Sequence, residues 1–194
     1  MCLNEFGKEH KLIRSLGNKI PKIHPTAFIS EAAYVVGDVE IGEGSSIWPG
    51  TVIRGNLSKI VIGKYVNIQD NCVVHSEANS TTTIGNYVSM GHKVMCHATS
   101  VGDNCLLGNG STVNSYTTIH SGSIVAAGTV VLERVEIPPN SLVVGIPGEV
   151  KRTISERHIE LINKIWNDYK SYAQEFKEAG LEDSDRDKFN DLDV

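Results

Sequence analysis

In the stretch VGDNCLLGNGSTVNSYTTIHSGSIVAAGTVVLERVEIPPNSLVV, residues 101–144, an aliphatic residue recurs every six positions: Val101, Leu107, Val113, Ile119, Val125, Val131, Ile137 and Val143. A helix repeats every 3.6 residues and a strand every two, so neither sustains a period of six. Such a period marks a repeat architecture, in which each unit buries its apolar face on its neighbour. Upstream the phase runs through Ile23, Ile29, Val35, Ile41, Ile47 and Ile53, resumes at Ile62, Ile68 and Val74, and again at Ile84, Met90 and Cys96. Four residues after most anchors sits a small or β-branched residue such as Ser45, Thr51, Cys72, Cys105 or Thr117. Many anchors are followed by glycine, as in Ile41-Gly42 and Val101-Gly102, which reads as a tight turn where a side chain would crowd.

The pattern resembles the hexapeptide-repeat left-handed β-helix, in which three hexads make one coil of a triangular prism. On that resemblance the anchors sort into three stacked columns. Ile23, Ile41, Ile62, Ile84, Val101, Ile119 and Ile137 form the first. Ile29, Ile47, Ile68, Met90, Leu107, Val125 and Val143 form the second, and Val35, Ile53, Val74, Cys96, Val113 and Val131 the third. Every break in the period follows a third-column anchor, after Ile53, Val74 and Cys96, so the insertions gather at one corner of the prism. Loops clustered on a rigid scaffold are where function usually sits.

The expected organisation is an N-terminal segment 1–22, an all-β left-handed parallel β-helix over 23–152, a C-terminal helix over 153–180 and a polar, frayed tail 181–194. For the helix, Thr153 and Glu156 can form a capping box and Gly180 a C-terminal stop. Its apolar face includes Ile162, Ile165, Trp166, Tyr169, Ala173 and Phe176, expected to pack along the prism or on a neighbouring subunit.

Bulk properties narrow the function classes. Eighteen Lys+Arg against 23 Asp+Glu, a net charge of −5, give no case for nucleic acid. No apolar run suits a membrane span or a secretory signal. Four widely spaced cysteines suggest neither a disulfide framework nor an all-cysteine zinc site, so a reducing, cytoplasmic compartment is expected. Cys72, Cys96 and Cys105 read as inward-facing small hydrophobes.

Of seven histidines, His10, His24, His120 and His158 read as surface or structural groups. His75 and His97 differ, because each directly follows a third-column anchor and they share one phase on adjacent coils. Stacked strands lie about 4.8 Å apart, close enough for both imidazoles to reach one metal ion. His92 lies five residues before His97, across a corner and roughly 16 Å of extended chain. It can join the same ion only from an adjacent subunit, which predicts a homotrimer with three interface sites.

Arg54-Gly55, Asn67-Ile68-Gln69-Asp70-Asn71 leading to His75, Gly91-His92, and His97 followed by Val101-Gly102-Asp103-Asn104 resemble the gamma-class carbonic anhydrases. The resemblance implies zinc, with iron or cobalt as alternatives, held by His75 and His97 of one subunit and His92 of the next. It implies a metal-bound hydroxide that hydrates CO2 to bicarbonate, Gln69 orienting it, Asn67 supporting the site, and Arg54 and Asp70 linking subunits. Glu77 becomes the candidate proton shuttle. This chain departs from the family in reading Arg54-Gly55-Asn56 for Arg-Gly-Asp, in lacking a tyrosine of the last coil, and in a short loop, Ser76-Glu77-Ala78-Asn79. These departures leave the three histidines intact and bear on turnover rather than on metal binding. The competing readings are a coenzyme A-dependent hexapeptide acyltransferase and a catalytically weak metal-binding trimer or scaffold.

Overall fold

The computed structural model describes residues 12–190, so His10 and Cys2 lie outside the described residues. The chain winds as a parallel β-solenoid of short strands, most only two residues long, each hydrogen-bonded to the strand one coil away. Registers follow the columns: Ile41 pairs with Ile62, Ile62 with Ile84 and Ile84 with Val101. Ile68 pairs with Met90 and Met90 with Leu107, and Ile53 pairs with Val74 and Val74 with Cys96. Every anchor in all three columns is buried in one continuous core. The third column also gains Ile13, which pairs with Val35 and is 1% exposed, so the N-terminal segment contributes to the first coil.

The corners turn by a different residue from the one expected. Glycines directly after anchors do not carry the left-handed backbone. That falls two positions later, at Gly44, Tyr65, Tyr87, Asn104 and Gly122, with φ between 53° and 75°. The crowding expected at these glycines is present at Gly42 and Gly102. A Cβ there would lie 2.5 Å from the Gly63 carbonyl oxygen and 2.5 Å from the Ser121 nitrogen, so the coils close up on bare backbone. Small inward residues tie coil to coil: the Ser45 hydroxyl donates to Gly63 O at 2.8 Å and that of Thr51 to Gln69 O at 2.7 Å.

Helix α1 spans Glu156–Glu178 and starts later than the sequence suggests. Thr153 ends the strand Glu149–Thr153, which runs antiparallel to Ser141–Val144, so the cap falls to Ser155. His158 occupies the place expected of a glutamate, accepting the Ser155 backbone N–H at Nδ1, 3.0 Å. Gly180, at φ 73°, follows the helix end as expected. The helix lies on the second-column face of its own prism. Phe28, Trp48, Tyr169, Ala173 and Phe176 form one cluster, and Leu106, Ile124 and Ile162 a second.

The tail does not fray before residue 190. The Asp183 N–H donates to Ile29 O at 2.8 Å, Arg186 donates to Ala27 O at 2.8 Å, and Phe189 packs against the main core. The apolar end of the prism needs a cover, and this segment supplies it. No helix of the described residues is long and apolar enough to cross a membrane.

Candidate metal centre

Two strands place the central pair. Val73–His75 and Met95–Cys96 run parallel with Val74 opposite Cys96, so His97 stands one rung above His75. Arg54 pairs with His75 on the coil before. The two imidazole centroids are 4.8 Å apart, and His75 Nδ1 lies 3.3 Å from His97 Nε2.

The other nitrogen of each ring is held by an oxygen. His75 Nε2 donates to Asn56 Oδ1 at 2.8 Å, and His97 Nδ1 donates to the Glu77 carboxylate at 3.1 Å. With those protons assigned, Nδ1 of His75 and Nε2 of His97 present lone pairs to each other. Two facing lone pairs repel unless a proton or a cation lies between them. Nitrogens bound 2.0–2.1 Å from a tetrahedral ion stand roughly 3.3 Å apart, which is the spacing seen. The arrangement matches the pattern in which a ligating histidine gives its second N–H to a carboxylate or carbonyl.

His92 sits on the preceding corner, exposed, with Nδ1 donating to Asp70 Oδ2 at 2.9 Å. Its Nε2 is therefore also left as an acceptor. Among the described residues of one chain, no three His, Cys, Asp or Glu side chains converge as a metal cluster.

Arg54 and Asp70 do not meet within the chain. Arg54 donates to Asn56 Oδ1 at 2.6 Å, and Asp70 holds His92. Gln69 and Asn67 are buried, 5% and 1% exposed, and form an amide ladder. Gln69 Nε2 donates to Asn67 Oδ1 at 3.0 Å, and Asn67 Nδ2 donates to Ser89 Oγ at 2.7 Å. Glu77 also accepts the Ser115 hydroxyl at 2.7 Å. Its pKa is lowered by that hydrogen bond first and by His97 second. Burial above all, then the positive charge of Arg54, lowers the pKa of His75, which keeps the ring neutral and free to ligate.

Three contributors escaped the sequence reading. Asn56 had appeared only as a lost carboxylate, yet its amide oxygen holds His75. Ser115 lies on the coil above His97 at the same corner, a position the column assignment could have exposed. Lys19, whose ammonium donates to Asn56 O at 2.6 Å, clamps the strand that carries Asn56 from 37 residues away, and no local signal marks it. Gly55 lets that strand, Val52–Ile62, approach its neighbour closely, since a Cβ there would lie 2.8 Å from the Asp38 carbonyl carbon.

The coils and the paired, oxygen-backed imidazoles define a hexapeptide-repeat solenoid with a histidine pair at one corner. A family model described as bacterial transferase hexapeptide (six repeats) matches residues 20–55. A Methanocaldococcus jannaschii protein named "Probable carbonic anhydrase" is 46% identical over 136 residues, 70% of this chain and 86% of that protein. Gamma carbonic anhydrase 2, mitochondrial, of Arabidopsis thaliana is 33% identical over 178 residues, 89% of this chain and 64% of that protein. A solved Bacillus cereus structure, provisionally assigned as an acetyltransferase, superposes with a TM-score of 0.81 at 34% identity, covering 85% of this chain and 96% of that one. This chain belongs to the gamma-type carbonic anhydrase family of hexapeptide-repeat proteins.

Proposed function

We propose that three copies of this chain form a homotrimer in which His75 and His97 of one protomer and His92 of the next hold a divalent metal ion, and that the site hydrates CO2 to bicarbonate. The observation that carries this reading is the pair of facing ring nitrogens, each turned inward by an oxygen on its far side. Zinc suits an all-imidazole set, and iron or cobalt are the alternatives.

The faces of the prism support the assembly. The residue before each anchor points outward. On the third-column face these are Tyr34, Val52, Val73, Met95, Thr112 and Val130, paired in one ladder. Five of the six are apolar or aromatic, and Val73 is 38% exposed. The first-column face instead shows Lys22, Glu40, Val61, Thr83, Ser100, Thr118 and Glu136, with Val61 its one apolar member, and α1 covers the second. The apolar face lies between the corner of His92 and the corner of His75 and His97. Burying it on a neighbour would bring one corner to the other.

When bound, the ion supplies a water acidic enough to ionise near neutral pH, the nucleophile that CO2 hydration needs. The chain's own residues order the surroundings. Gln69 gives its amide nitrogen to Asn67, so its carbonyl is what it can offer to a substrate water as an acceptor. Asp70 keeps the His92 ring turned with Nε2 outward.

Metal analysis joined to stopped-flow CO2 hydration tests the proposal. We expect about one ion per chain, from the three-imidazole stoichiometry, and its loss in His92→Ala together with activity. Full metal content in His92→Ala would refute the shared site. Metal without hydration would leave a scaffold. The likeness to the Bacillus cereus structure favours an acyltransferase as the second reading, and protection from heating by acetyl-coenzyme A would support it. That reading gives no reason for three imidazoles each backed by an oxygen.

A further inference from the structure

We infer that Glu77 is a positioning residue for His97: braced by Ser115, its carboxylate holds the Nδ1 proton and thereby presents Nε2 toward His75. The inference rests on the metal reading for the identity of the ion and on hydrogen-bond geometry alone for the tautomer.

Glu77 comes from the loop between Val74 and Ile84, and its Oε1 receives two donors. One is His97 Nδ1, 20 residues away at 3.1 Å, and the other is Ser115 Oγ, 38 residues away at 2.7 Å. A single oxygen therefore joins the loop, the coil of His97 and the coil after it. A neutral imidazole can carry its proton on either nitrogen, and the hydrogen bond made by one nitrogen decides the state of the other. Without Glu77, nothing on the far side of His97 selects Nδ1–H. With the proton on Nε2, that N–H would point at His75 Nδ1, and the two rings would satisfy each other with no cation. Glu77 thus decides whether the pair closes on itself or opens to a metal.

This role differs from proton carriage. A shuttle must leave its partner, turn to solvent and return. Glu77 is instead held by donors from two coils, while His97 depends on it for orientation. The neighbouring ring is held differently, by the neutral amide of Asn56, so of the two facing rings it is His97 that has the anionic brace. A carboxylate behind a ligating imidazole also raises its basicity toward the ion.

The test compares full-length wild-type protein with Glu77→Ala, Glu77→Gln and Ser115→Ala. Imidazole nitrogen-15 shifts of the metal-free proteins report the His97 tautomer, and chelator competition reports Zn2+ and Co2+ affinity. Wild type should show Nδ1–H, Glu77→Ala should lose that preference, and zinc affinity should fall 10–100-fold. Glu77→Gln keeps an acceptor oxygen, so it should restore the tautomer and most of the affinity, with Ser115→Ala intermediate. The inference is overturned if His97 keeps its tautomer and affinity in Glu77→Ala while turnover falls and imidazole buffer restores it, the signature of a shuttle. If wild type binds no metal yet the tautomer still follows Glu77, the metal reading fails and the positioning role stands.

Discussion

Asn56 shows how one atom can decide a side chain's chemistry. Its Oδ1 accepts from both His75 Nε2 and Arg54, and its backbone carbonyl is held by Lys19. Asn56→Ala should weaken zinc binding 10–100-fold in chelator competition while circular dichroism stays unchanged, because the side chain lies outside the core. Asn56→Asp places a charged acceptor behind His75 and should tighten binding in the same assay. The cysteines illustrate the opposite case, in which burial silences a reactive group. Burial pushes the Cys72 thiol up to about 12 and those of Cys96 and Cys105 up to about 11. Native protein at pH 8 should therefore resist iodoacetamide at all three, and peptide mapping should find them labelled only after unfolding. The sign of the pH effect follows. Unfolded thiols ionise near 8.5 while the folded ones hold their protons, so stability should decline as pH rises from about 8.5 toward 12.

At the scale of elements, helix α1 is held by aromatic packing rather than by its cap. Trp48 meets Tyr169 edge-on at 5.1 Å and Phe176 at 4.9 Å, and Phe28 lies 5.3 Å from Trp48. Trp48→Ala should cost about 3–5 kcal/mol in guanidinium unfolding and release the helix, giving exchange of its amides before those of the coils. The helix period was legible because its apolar stripe is local. Its starting point was not. Thr153 and Glu156 satisfy a capping pattern, but pairing of Glu149–Thr153 with Ser141–Val144 takes Thr153 into a strand. The tail shows the same override: a polar stretch with one phenylalanine reads as frayed, yet Phe189 has an open end of the prism to cover.

For the whole molecule, the apolar third-column face is the decisive feature. Val73→Glu sets an uncompensated charge on that face. Sedimentation should show the proposed trimer in the wild type and monomers in the variant, with metal content lost and the solenoid's dichroism retained. Retention of the trimer and its metal would place the interface elsewhere. Removing metal with a chelator should weaken the wild-type assembly, since each proposed ion joins two protomers, and a heated sample should unfold at lower temperature.

The column assignments came from the letters of the chain, because a period of six is local and every anchor must turn inward once the coils stack. The pairing of His75 with His97 followed from the same arithmetic, since residues in one phase on adjacent coils are neighbours. The brace around them did not follow. Asn56, Ser115 and Lys19 act across 19 to 38 residues of chain, through side-chain rotamers and a loop whose path no period encodes. Which nitrogen of each ring faces the other is therefore a property of the folded corner, where oxygens from separate coils select the protons.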